Sequence, residues 1–121
     1  MINQQLREEI TRLHAKICDA LADPTRILIL YCLAEQPHPV GVLGKILDLN
    51  QPTVSRHLQV LRERGLVFAN REGQNVVYSL ADDKIIQALD LLRAVLSENL
   101  SRQGALVESA DINLTFVGKQ E

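Results

Sequence analysis

The apolar residues of this 121-residue chain change rhythm at Gly65, and that change limits the folds open to it. Before Gly65 they recur every three or four positions, the spacing of one helix face. After it come Leu66-Val67-Phe68-Ala69 and Val76-Val77-Tyr78-Ser79-Leu80, two β-prone runs joined by the polar stretch 70–75 with Gly73 inside it. That combination predicts a β-hairpin. Beyond the hairpin the helical rhythm returns, so a short two-stranded element is inserted into a chain that is otherwise helical.

Each helix has its punctuation. Ile2, Leu6, Ile10, Leu13, Ile17 and Leu21 form one stripe, predicting a first helix over 2–21. Asp23-Pro24 restarts the chain, since Asp caps helices and Pro suits the first helical position. The second helix is expected over Pro24–Glu35, with Ile27, Leu28, Leu30, Tyr31 and Leu33 inward. Pro37 and Pro39 break it. A short helix over Val40–Leu47 carries Val42, Leu43, Ile46 and Leu47. After the tight connection 48–52, Pro52 opens a fourth helix that ends at Gly65, a natural residue for leaving a helix. Asp82-Asp83 can cap a last helix over 83–100, with the stripe Ile85, Leu89, Leu92, Leu96 and Leu100, widened by Ile86 and Val95. Residues 104–121 read as a weakly structured tail, in which 114–117 is either a short strand or disordered. The fold class is mainly α (α+β), in the order ααααββα. Helix, tight turn, helix and hairpin in succession is the winged helix-turn-helix arrangement. The expected domain is 1–103.

On the fourth helix Val54, Leu58 and Leu61 form the inward face. Thr53, Ser55, Arg56, Gln59 and Arg62 fall outside it, with His57 at the margin. These are short or planar hydrogen-bonding groups that match base edges in a major groove: Arg suits guanine and Gln suits adenine. Gln51 precedes them, and Thr53 and Ser55 lie near free backbone amides that favour a phosphate. The hairpin tip adds Arg71, placed for a backbone or minor groove, and Gln74. The chain's net charge of −2 shows no basic bias. Between positions 51 and 71, however, Arg56, Arg62, Arg64 and Arg71 face one anion, Glu63, for a local net of +3. The expected partner is double-stranded operator DNA. The alternative is a solvated charged face on a protein-interaction module that lacks DNA binding.

Four segments carry a family resemblance. Ala22-Asp23-Pro24-Thr25-Arg26-Ile27-Leu28-Ile29-Leu30 resembles the A-D-P-T-R-L-x-I-L segment of the ArsR/SmtB family of metalloregulatory repressors. Leu49-Asn50-Gln51-Pro52-Thr53-Val54-Ser55-Arg56-His57-Leu58 resembles that family's recognition element. Val60-Leu61-Arg62-Glu63-Arg64-Gly65-Leu66-Val67 resembles its V-L-R-x-A-G-L-V continuation, and Arg71-Glu72-Gly73 with the run 76–80 resembles its wing. The resemblance covers roughly 21–80. It implies a homodimer built from the first and last helices and repression of a promoter, with release by an inducer the sequence does not identify. The two terminal stripes agree with a dimer, because a small core cannot cover both; Leu6, Ile10, Leu13, Leu89, Leu92 and Leu96 are the expected interface. Two recognition helices then address successive major grooves of a pseudo-palindromic operator.

The family's metal sites are not matched. One uses Cys-x-Cys at the start of the third helix, where this chain reads Pro39-Val40-Gly41-Val42-Leu43. Another uses Asp and His of the last helix, and no histidine follows His57. Asp82, Asp83, Asp90 and Glu98 do not form a transition-metal set. The expectation is therefore no metal and no cofactor. His14 and Cys18 share a helix face, but two ligands do not make a site. Thiol-switch members of the family place a cysteine near Cys32 and a partner on the last helix, where this chain has none. If the first two helices are antiparallel, Cys18 and Cys32 are staggered by about five residues, or ~7.5 Å. That exceeds ordinary disulfide reach. Two inert thiols and a thiol switch formed by Cys18 and Cys32 both stay open. No glycine-rich phosphate loop, Cys/His cluster or catalytic triad is visible, so an enzyme is not expected. Two cysteines, no apolar signal core and no long apolar span predict a cytoplasmic protein without membrane association.

Overall fold

The computed structural model describes residues 1–106, with side chains through Arg102. Five helices and a three-stranded antiparallel sheet follow the predicted order with one added strand. The helices are α1 (Gln4–Leu13), α2 (Pro24–Glu35), α3 (Val40–Leu47), α4 (Gln51–Glu63) and α5 (Lys84–Leu106); the strands are β1 (His38–Pro39), β2 (Val67–Glu72) and β3 (Asn75–Leu80). Residues Met1–Ile86 form one compact unit, and a second begins at Gln87 within α5.

In the first unit the core is aliphatic. Ile29 and Leu30 of α2, Leu43 of α3, Val54, Leu58 and Leu61 of α4 and Val67 of β2 are fully buried. The α4 face agrees with its spacing. On α2 the structure corrects the expectation: Leu28 is exposed and Ile29 takes its place. Residues 27–30 are apolar without interruption, so spacing alone does not choose a face. Ile29 and Leu33, one turn apart, set the inward direction, and Leu28 lies about 100° from Ile29 on the side away from Leu30. Val42 and Ile46 of α3 are likewise exposed, while Leu43 and Gly44 face inward.

The first helix runs unbroken from 4 to 20 but is not α-helical throughout. After α1, residues His14–Cys18 form a π-helical turn, with the Asp19 amide donating to the His14 carbonyl. No residue of α1 is buried. Past the turn Ala20 is buried, while the expected stripe members Ile17 and Leu21 are half-buried. The added strand β1 lies where the prolines predict only a break. His38 pairs with Tyr78 and Pro39 with Val77, making β3 the central strand. A proline without an N–H is tolerated there because β1 is an edge.

The connection from α3 to α4 is fixed by its backbone. Asp48 is left-handed (φ 58°), and the Leu49 amide donates to the Gly44 carbonyl at 2.9 Å. A Cβ on Gly44 would lie 2.8 Å from the Leu49 carbonyl oxygen, so the turn needs glycine there. Asn50 Oδ1 then accepts the Thr53 amide at 2.9 Å and caps α4. At the other end Gly65 (φ 78°) leaves the helix, with the Leu66 amide on the Leu61 carbonyl and the Gly65 amide on the Arg62 carbonyl. This is a Schellman ending that feeds buried Leu66 directly into β2.

In the second unit α5 reaches Leu106, past the expected end at 100, because no proline interrupts it. Leu91, Leu92, Val95 and Leu96 are exposed along it. Leu89 is 5% exposed, so this expected interface residue is already covered in the single chain. The expected tail beyond 106, including 114–117, lies outside the described residues.

Candidate nucleic-acid interface

Because α4 buries Val54, Leu58 and Leu61, it turns Gln51, Ser55, Arg56, Gln59 and Arg62 to solvent. Thr53 and His57 sit half-buried at the margins. The hairpin rises beside this face. Its strands pair from Val67 with Leu80 to Glu72 with Asn75, leaving a two-residue tip at Gly73-Gln74. Gly73 has φ 65°, and the tip has its positive φ at this first turn position alone, the pattern of a type II′ turn. The hairpin is thus longer and its tip tighter than predicted. Arg71 belongs to β2, paired with Val76, and is exposed with Gln74.

Two grooves flank this surface. One, of about 490 Å³, is lined by Ser55, Gln59, Arg62 and Glu63 of α4 and by Tyr78 of β3. The other, of about 570 Å³, brings Gln51 and Gln74 together with Lys45, Asn75 and Tyr78. Tyr78 contributes to both. Sequence reasoning missed it, as it missed Lys45; the pairing of β3 with β2, which carries Tyr78 to the groove, is the information it lacked. Gln51 is held near α3 because Gly41 leaves room for it: a Cβ there would lie 3.0 Å from Gln51 Nε2.

Two residues of the basic segment are engaged within the fold. Arg64, 28% exposed, donates through Nη1 to the carbonyls of Ala15 (2.8 Å) and Lys16 (2.9 Å) and through Nη2 to Asp19 Oδ2 (2.8 Å). Its charge is thereby paired, and the guanidinium serves carbonyls of the π-helical turn. His57 faces inward through Nδ1, which accepts from Arg26 Nη1 at 3.3 Å. Arg26 also donates to the Ala20 and Asp19 carbonyls. The cations of the basic segment left outward are Arg56, Arg62 and Arg71, and exposed Lys45 of α3 lies beside them.

Asp23 caps α2 by accepting the Thr25 amide at 2.8 Å. Slight burial pushes its carboxyl up, but the Thr25 amide, the nearby His57 and the Arg26 charge outweigh this and hold it below its usual value. Burial, followed by the charge of Glu35, pushes the Cys32 thiol up, which disfavours the thiolate that redox chemistry needs. Cys18 is exposed on the π-helical turn, and both thiols are free. Among the described residues no three His, Cys, Asp or Glu side chains are grouped to hold a metal ion, and no helix is long and apolar enough to cross a membrane. Of the remaining expected interface residues, Ile10, Leu13, Leu92 and Leu96 are exposed and Leu6 is half-buried.

Residues 23–68 match the profile of the bacterial regulatory protein, arsR family. The chain is similar to the biofilm growth-associated repressor of Agrobacterium fabrum, with 39% identity over 71% of this chain and 76% of the relative. It is similar to the HTH-type transcriptional regulator CmtR of Mycobacterium tuberculosis, with 41% identity over 80% of each chain. It also superposes on the solution NMR structure of the homodimeric winged helix-turn-helix DNA-binding domain of Mb0332 from Mycobacterium bovis. That match has a TM-score of 0.71 and 29% identity, and it covers 83% of this chain and 93% of that one.

Proposed function

The chain belongs to the arsR family of bacterial regulatory proteins, and from that premise we propose that it is a homodimeric repressor that reads operator DNA with α4 and steadies it with the hairpin. One observation carries this reading. The exposed face of α4 presents Gln51, Ser55, Arg56 and Gln59 beside a hairpin bearing Arg71, in the one basic segment of an acidic chain. Arg56 is the base-reading cation, and Arg71 and Gln74 contact the backbone from the hairpin. Thr53 and Arg62 flank the reading face, and His57 supports it through Arg26. Ile10, Leu13, Leu92 and Leu96 are the apolar residues a second copy would cover, and the similar domain from M. bovis is homodimeric.

A band-shift titration with DNA from upstream of its own gene tests this. Arg56→Ala should weaken operator binding by about 1–3 kcal/mol and relax preference at one base pair. Arg71→Ala should weaken all sequences alike and reduce the salt slope by about one. No shift by the unaltered chain at low salt would leave a protein-interaction module as the better reading.

A further inference from the structure

The groove between α4 and the hairpin contains a residue that a phosphate-facing surface does not ask for. Glu63 is the one acid between positions 51 and 71, and it lines this groove with Ser55, Gln59, Arg62 and Tyr78. A carboxylate there repels the DNA backbone. It is nevertheless engaged: Gln59, one helical turn earlier, donates from Nε2 to Glu63 Oε2 at 3.2 Å. An ionised carboxylate only accepts hydrogen bonds, so it draws the amide nitrogen and never the amide oxygen. Gln59 Oε1, with the second N–H of the amide beside it, is then left in a fixed orientation for other partners.

We propose that Glu63 is a positioning residue that fixes the side-chain amide of Gln59, so that Gln59 offers its oxygen to a base edge. The proposal rests on the DNA-binding reading above. An unconstrained glutamine can turn either its donor or its acceptor outward and tolerates several bases. One held by Glu63 calls for a donor on the base, which in the major groove is the N4 amino group of cytosine or the N6 amino group of adenine. In the free chain both side chains are exposed and water competes for the bond. Closing the groove against DNA removes that water and strengthens it. Arg62, in the same groove, offsets part of the repulsion.

Selection of binding sites by the full chain from a randomised DNA duplex pool tests this. The unaltered chain should select a motif, and Gln59→Ala should erase preference at one position, which identifies the base pair Gln59 reads. Glu63→Ala should lower discrimination at that same position by about 3- to 10-fold, the value of one hydrogen bond, and leave the other positions intact. Glu63→Gln offers Gln59 a donor as well as an acceptor, so it should relax the preference at that position, by less than Glu63→Ala, while raising affinity for all sequences, because the repelling charge is gone. An unchanged Glu63→Ala motif overturns the proposal. So does a Glu63→Gln motif as sharp as that of the unaltered chain, because an amide at 63 does not enforce the orientation. So does a Gln59→Ala variant that keeps every preference. If the unaltered chain selects no motif at all, the DNA-binding reading itself fails. These side chains are exposed, and thermal melts of the variants check that each remains folded.

Discussion

Helices α1 and α4 carry equally regular apolar spacing, yet one buries its stripe and the other does not. Val54, Leu58 and Leu61 of α4 are fully enclosed, while α1 has no buried residue and leaves Ile10 and Leu13 half in solvent. Periodicity therefore identifies a face without identifying what covers it. For α4 the cover is the chain's own α2, α3 and β2. For α1, and for Leu92 and Leu96 of α5, it is proposed to be a second copy.

That contrast can be broken by substitution. Leu61→Ala should cost about 2–5 kcal/mol in urea melts, because it opens a cavity among enclosed side chains. An effect below about 1 kcal/mol would deny α4 its anchoring role. Leu92→Asp should behave oppositely. It should leave folding stability within about 0.5 kcal/mol when the protein is monomeric. It should weaken self-association by about 2 kcal/mol or more in sedimentation measurements. A dimer of undiminished strength would remove this stretch of α5 from the interface. Arg64→Ala should cost about 1–2 kcal/mol, because carbonyls of the π-helical turn and Asp19 lose their donor. Arg64→Lys should recover only part of this, since one ammonium does not reproduce the planar fork. Hydrogen exchange should then quicken around 14–19 sooner than in α2.

The smallest effect concerns acid. Because the Asp23 carboxyl is held below its usual value, its contribution is complete above the ordinary carboxylate range and is lost as pH falls through the lowered value. Asp23→Ala should remove about 1 kcal/mol of cap stability near neutral pH and flatten the acid limb of the stability curve. Unfolding midpoints measured across that limb would check it; equal slopes in both proteins would contradict the assignment.

What was legible in the sequence was whatever short-range chemistry decides. Asp23-Pro24, Pro52 and Gly65 mark helix ends through their own backbone and side-chain preferences, and each lies within a residue of the end expected from it, although the cap at Asn50 was not anticipated. The outward residues of α4 follow from the inward ones. What escaped depends on partners distant in sequence. Strand β1 exists because β3 pairs with it, not because His38-Pro39 favours extension. Arg64 reads as one more cation on a basic helix until Ala15, Lys16 and Asp19 are brought beneath it. Tyr78 reads as a strand residue until the fold brings it to the groove lined by Ser55 and Gln59. The bond between Gln59 and Glu63 was within reach, since four residues apart is the spacing of neighbours on a helix. Attention to charge alone hid it.

The π-helical turn at His14–Cys18 acts as a phase shifter in the N-terminal rod. Widening one turn by a residue rotates everything upstream by about 100° relative to everything downstream. The downstream half, ending at enclosed Ala20, is thereby indexed to the body of its own unit, while the upstream half with Ile10 and Leu13 is indexed separately. In the dimer proposed above, substitutions upstream would change the face offered to a second copy without disturbing how the downstream half seats. In a cell that carries several similar regulators, such an offset would let mating preference drift apart from DNA preference.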